Sequence, residues 1–146
     1  KKPLGRGQLV YYPPMNSKDL KEHRFGAASH TDFGVLTILL QDMQGGLQVL
    51  NQNDEWIEAP PIENSFVCNI GDLLERWTNG DLKSTKHRVI NLNKSARYSI
   101  PIFCDPASQT IIDPDDFSLS KIKYEKITAG EHISNRNKKN FKQYKA

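Results

Sequence analysis

Residues 29–42 read Ser-His-Thr-Asp-Phe-Gly-Val-Leu-Thr-Ile-Leu-Leu-Gln-Asp, a His-X-Asp triplet leading into an apolar run of β-type residues. Side chains two apart on an extended strand leave the same face, so the imidazole of His30 and the carboxylate of Asp32 can converge on one point, whereas a helix would turn them apart. Further short β-type runs follow at 47–51, 55–59, 65–70, 84–90, 97–104 and 110–112, and one precedes at 9–12. Gly45 with Gly46, Asn53 with Asp54, and Gly71 with Asp72 mark turns between them. Short strands in close succession predict a mostly β chain, built as a sandwich or barrel. Residues 72–79 read as a helical turn ended by Gly80. Thr128 and Glu131 have capping-box spacing, which predicts a short helix on the outside of the sheet.

His87 lies 55 positions after Asp32, in another β-type run, and can supply a third ligand from a neighbouring strand. Two imidazoles and one carboxylate on one face of an octahedron leave the opposite positions open, the arrangement of non-haem Fe(II) centres. Arg97 follows His87 by ten residues, across the polar stretch Asn-Leu-Asn-Lys-Ser-Ala at 91–96, which reads as a hairpin loop. Arg97 and Ser99 then share a strand face. A guanidinium fork beside a hydroxyl suits a carboxylate, so the expected guest is a small acid lying between Arg97 and the metal.

The stretches HTDFGVLTILLQD (30–42), GGLQVL (45–50), NIGDLLERWTNG (69–80), KSTKHRVI (83–90) and RYSIPIFCDP (97–106) resemble the 2-oxoglutarate and Fe(II)-dependent dioxygenase superfamily. The resemblance is to its isopenicillin N synthase-like branch and covers roughly residues 8–115. The branch's spacing of His-X-Asp, a second His and Arg-X-Ser is matched throughout, and Tyr-Tyr-Pro-Pro at 11–14 matches its tyrosine segment. Val10 stands where the family often has Asn. The resemblance implies a double-stranded β-helix, or jelly roll, with short flanking helices. It implies Fe(II) held by His30, Asp32 and His87 as the catalytic centre. It also implies 2-oxoglutarate as cosubstrate, its far carboxylate bound by Arg97, Ser99 and Tyr12, with dioxygen as oxidant and ascorbate as a candidate auxiliary reductant. The implied reaction oxidises a small organic metabolite, usually by hydroxylation, and releases succinate and CO2. Two other readings stand beside it: an Fe(II) oxidase of the same fold that does not use 2-oxoglutarate, and a catalytically silent β-sandwich that only binds. Enzymes of the branch carry an amino-terminal region ahead of the tyrosine segment, so residues 1–146 are expected to form the catalytic domain without it.

Composition fits one domain, since 146 residues can bury one core but not two. The two cysteines, Cys68 and Cys104, lie in apolar runs and read as free buried thiols rather than a disulfide or metal site. No apolar run approaches a membrane span and the first residues lack the apolar stretch of a signal peptide, so a cytoplasmic chain is expected. The net charge of +3 is uneven. Residues 121–146 form a basic tail with eight Lys or Arg against two Glu, leaving 12 basic and 15 acidic residues before it. The tail lacks aromatic interleaving, so a solvated helix is expected there rather than a nucleic-acid arm. His23 and His132 have no partner at ligand spacing and read as solvated surface residues. The expected partner is a small molecule, with no nucleic acid and no membrane.

Overall fold

Alternation of inward and outward side chains arranges the strands into two facing antiparallel sheets. The structure is a computed structural model and describes residues 2–22, 25–117 and 121–140. In chain order the elements are β1 (Leu4–Gly7), β2 (Val10–Tyr12), α1 (Ser17–Lys21), β3 (Ala27–His30), β4 (Leu36–Gln41), β5 (Leu47–Leu50) and β6 (Trp56–Glu58). They continue with β7 (Val67–Ile70), α2 (Asp72–Trp77), β8 (His87–Val89), β9 (Arg97–Asp105), β10 (Ile111–Ile112), β11 (Ile127–Thr128) and α3 (Ala129–Asn140). β9 is the axis of the first sheet: β4 and then β7 lie on one side of it, β1 and β2 on the other. The second sheet runs β3-β8-β5-β6. β10 and β11 form a separate ribbon. The result is the expected jelly roll.

The interior lies between the sheets. Tyr12, Leu47 and Val89 are buried there and meet Val10, Ala27, Leu39, Ala59 and Val67. A second cluster of Leu73, Ile112 and Ala129 joins α2, the β10–β11 ribbon and α3. The helical turn over α2 ends as expected: Asn79 and Gly80 have φ of 53° and 87°, and the Gly80 amide donates to the Glu75 carbonyl at 2.7 Å. α3 begins after Thr128, whose Oγ1 accepts from the Glu131 amide at 3.2 Å.

Several expectations need correction. The polar stretch at 91–96 is no hairpin, because β8 belongs to the second sheet and β9 to the first. The chain crosses between sheets there, and the buried Asn91 amide secures the crossing by donating to the carbonyls of Tyr12 (3.1 Å) and Ser95 (2.9 Å). Cys68 is exposed and Cys104 half-buried, both on the outward side of the first sheet. An apolar run does not say which of its two faces turns inward, so their burial was not readable. The strand carrying His30 ends at that residue, and Asp32 lies just beyond it. The tail helix is not simply solvated. Ala129 is fully buried, and Gly130 approaches Ser108 so closely that a Cβ would sit 2.8 Å from the serine's own. His132 is half-buried, and burial, followed by the nearby Arg76, pushes its imidazole below the ordinary histidine range. His23 lies outside the described residues.

Candidate metal centre and anion pocket

His30 closes β3 and His87 opens β8, and the two are direct partners in the antiparallel register. Their ring centroids are 4.3 Å apart. Nδ1 of His30 lies 2.7 Å from the Ala28 carbonyl, and Nδ1 of His87 lies 3.1 Å from that of Thr85. A carbonyl can only accept, so the Ala28 contact puts the His30 proton on Nδ1; the Thr85 carbonyl, nearer to His87 Nδ1 than the Asn69 amide nitrogen at 3.3 Å, favours the same tautomer there, in which Nε2 keeps its lone pair for a metal. Burial, and then His30, push the His87 imidazole below the ordinary range and so favour the neutral ligand form.

Asp32 Oδ1 lies 3.9 Å from His30 Nε2 and 3.7 Å from His87 Nε2, and ligand atoms of all three residues fall within 4.8 Å of one another. An ion with bonds of about 2.1 Å spans donors up to roughly 4.2 Å apart, so it fits between these pairs. The other oxygen, Oδ2, accepts from Thr37 Oγ1 and Asn69 Nδ2, each at 2.7 Å. One carboxylate oxygen is thus anchored and the other left towards the imidazoles. The loop bearing Asp32 is tied to the start of α2. The first helical amides, which have no partner within the helix, go instead to the carbonyls of Asp32 (from Asp72, 2.8 Å) and Gly34 (from Leu73, 3.0 Å). Gly71 must lack a side chain here, because a Cβ would run into the Gly34 carbonyl.

Arg97 is fully buried on β9, opposite Tyr12 on β2, with its guanidinium 4.9 Å from the centre of the tyrosine ring. Nη2 donates to Gln41 Oε1 at 2.9 Å, while Nε, Nη1 and the Ser99 hydroxyl are buried with no partner among the described residues. Burial depresses the Arg97 pKa, opposed by Tyr12 and Asp42, yet from so high a starting value the group stays a cation. Unsatisfied buried donors around a cation fit an anion, and a carboxylate supplies the acceptors they lack.

Tyr12, His30, Asp32, His87, Arg97 and Ser99 all line one cavity of about 270 Å³, whose walls are otherwise largely apolar, with Leu39, Leu47, Val67 and Phe103 among them. The structure therefore brings together every site residue expected from the sequence. Thr37, Asn69 and Gln41 were not singled out, although a signal existed. Period two along β4 and β7 puts Thr37, Gln41 and Asn69 on the inward face, and a polar residue inside an apolar strand run calls for a partner.

A sequence model of the 2OG-Fe(II) oxygenase superfamily matches residues 8–106. A homoarginine-6-hydroxylase of Glycine max is 37% identical over 142 residues, covering 92% of this chain and 43% of that protein. A 1-aminocyclopropane-1-carboxylate oxidase of Dictyostelium discoideum is 50% identical over 101 residues, covering 67% of this chain and 27% of its own. Among solved structures, a full-length Neurospora crassa protein in complex with alpha-KG and thymine aligns with a TM-score of 0.84 at 38% identity, over 94% of this chain and 44% of that one. The chain spans less than half the length of the curated relatives it matches.

Proposed function

The chain belongs to the 2OG-Fe(II) oxygenase superfamily, and from that premise we propose that it is the catalytic domain of an Fe(II)- and 2-oxoglutarate-dependent dioxygenase of the isopenicillin N synthase-like branch. It oxidises a small organic molecule, by hydroxylation, with release of succinate and CO2. The observation that carries this reading is the pairing, in one cavity, of a three-donor metal site with a buried arginine that has donors to spare.

His30, Asp32 and His87 would hold the ion, each offering one donor atom. Fe(II), when bound, supplies the activation of dioxygen and the oxidation of a C–H bond, chemistry that protein side chains do not perform alone. The protein's own work is placement. Arg97 and Ser99 take the far carboxylate of 2-oxoglutarate, Tyr12 borders it, and Gln41 fixes the guanidinium from behind. The apolar walls keep water from the reacting groups. Among the described residues no helix is long and apolar enough to cross a membrane, and a cytoplasmic enzyme acting on a small molecule, without nucleic acid, completes the reading.

The test is anaerobic Fe(II) binding to the full chain and to His30→Ala, Asp32→Ala and His87→Ala. Each substitution removes one of three ligands and should lower affinity by at least about tenfold, since even outer partners of a ligand contribute that much. Retention of iron by all three variants refutes the site. The likeness to an aminocyclopropane-carboxylate oxidase favours one second reading, an oxidase in which Arg97 and Ser99 receive another small anion. Failure of the iron-loaded chain to bind 2-oxoglutarate would select it.

A further inference from the structure

We infer that α3 positions the metal centre: Arg136, acting through Thr31 and Asp72, sets the orientation in which His30 and Asp32 present their donor atoms. The inference rests on the metal-site reading given above. α3 lies beyond the segment 8–106 that matches the family, so it is not part of that shared segment.

Thr31 is the middle residue of the His-X-Asp triplet, and its backbone dihedrals set the angle between the two ligands. Its hydroxyl is held on both sides. It accepts from Arg136 Nη2 at 2.9 Å and donates to Asp72 Oδ2 at 3.2 Å. Arg136 Nη2 also lies 2.6 Å from Asp72 Oδ2, which closes a three-membered ring of charge-assisted contacts. Asp72 in turn grips the backbone of the ligand itself, its amide donating to the Asp32 carbonyl at 2.8 Å. The next residue is held from the same helix: Arg136 lies 4.9 Å from the centre of the Phe33 ring, and His132 stands one turn earlier on that helix. Residues four apart share a helix face, so one face of α3 covers the ligand loop. Arg136 and Asp72 are mostly buried, with side chains 26% and 17% exposed, so solvent screens their pairing only in part. The His30 side chain, by contrast, is 44% exposed, and its orientation depends on the backbone that carries it. Partners of metal ligands commonly contribute 10–100-fold to metal affinity by fixing the ligands in place.

The experiment is an anaerobic Co(II) titration of the full chain, reading affinity and the visible ligand-field spectrum, with the thermal midpoint of each metal-free protein measured alongside. The variants are Thr31→Val, Thr31→Ser, Arg136→Met and the double variant Thr31→Val with Arg136→Met. Thr31→Val and Arg136→Met are each expected to weaken Co(II) binding by about tenfold or more and to change the spectrum. The double variant should be no worse than the weaker single one, because both break the same ring. Thr31→Ser, which keeps the hydroxyl, should restore binding. Thr31→Val changes shape very little, so it decides the matter even if Arg136→Met fails to fold. Wild-type affinity and spectrum in Thr31→Val would overturn the inference, as would a variant whose only change is a lower metal-free midpoint. Absence of Co(II) binding by the wild-type chain is a different result: it overturns the metal-site reading itself.

Discussion

Arg97 is a buried cation with two unpartnered nitrogens beside an unpartnered hydroxyl, and an arrangement that costs free energy in the ligand-free protein points to what the ligand returns. Arg97→Leu should therefore leave the metal-free chain at least as stable as the wild type, with Fe(II) still bound. Affinity for 2-oxoglutarate should fall about a hundredfold, the worth of one to two charge-assisted hydrogen bonds. Calorimetric titration of the iron-loaded variant under nitrogen measures this, and an unchanged 2-oxoglutarate affinity would remove Arg97 from its assigned role. At this scale the sequence was most readable. Arg97 and Ser99 stand at a spacing that β9 converts directly into a shared face, and His30 and Asp32 converge although Asp32 lies just beyond the end of β3; with His87 and Tyr12, all six line the cavity. Thr37 and Asn69, which anchor Asp32, and Gln41, which holds Arg97, are single polar residues with no partner nearby in sequence. Their roles appear only when β4, β7 and β9 lie side by side.

The elements show why strands were easier to recognise than their connections. β2, β4, β5, β6, β7, β8 and β10 fall inside the expected β-type runs and β9 overruns its own by one residue, while β1, with two glycines in four residues, and β3, with Ala-Ala-Ser before the histidine, carry almost no β signal. The stretch at 91–96 has turn composition, but composition cannot tell a hairpin from a crossing between sheets; the buried Asn91 amide makes the difference. α3 shows the same limit. Its capping box marked where the helix starts, yet its polar sequence hid an inward side, because Arg136 and His132 are satisfied or sheltered only by a distant loop. The docking of α3 should be pH-sensitive in a definite direction. Burial, and then Arg76, depress the His132 pKa in the fold, so below the ordinary value near 6.5 the unfolded chain binds a proton that the folded chain refuses. Stability is then full above that value and falls as the pH drops beneath it, levelling once the folded pKa is passed. His87 adds to the trend in the metal-free chain for the same reason. Thermal midpoints of the metal-free protein between pH 8 and 5 should fall with acidity, and less steeply in His132→Phe. Equal slopes for the two proteins would mean that His132 does not report on the docking of α3.

For the molecule as a whole, the two sheets have different surfaces. The outer side of the second sheet is polar, with Gln48 bonded to both Arg88 and Glu58 and with Arg88 lying over Trp56. The outer side of the first sheet exposes Leu40, Tyr98, Ile100 and Ile102, an apolar face. This face was not readable from the sequence, because strand runs apolar on both sides look the same whether both faces or only one is covered. The inner faces carry the candidate site, since the proposed metal donors come from the second sheet and the loop after β3, the proposed anion donors from the first, and the cavity lies between them. The central claim is that these two sets of donors act on one cosubstrate, gripping it at both ends. The most direct measurement is the visible absorption spectrum of the anaerobic chain, titrated first with Fe(II) and then with 2-oxoglutarate, beside His87→Ala and Arg97→Leu. The expected result is a charge-transfer band that forms only when both are present, vanishes in His87→Ala and needs far more 2-oxoglutarate in Arg97→Leu. Iron binding with no band at any 2-oxoglutarate concentration, or a band indifferent to Arg97→Leu, would contradict it.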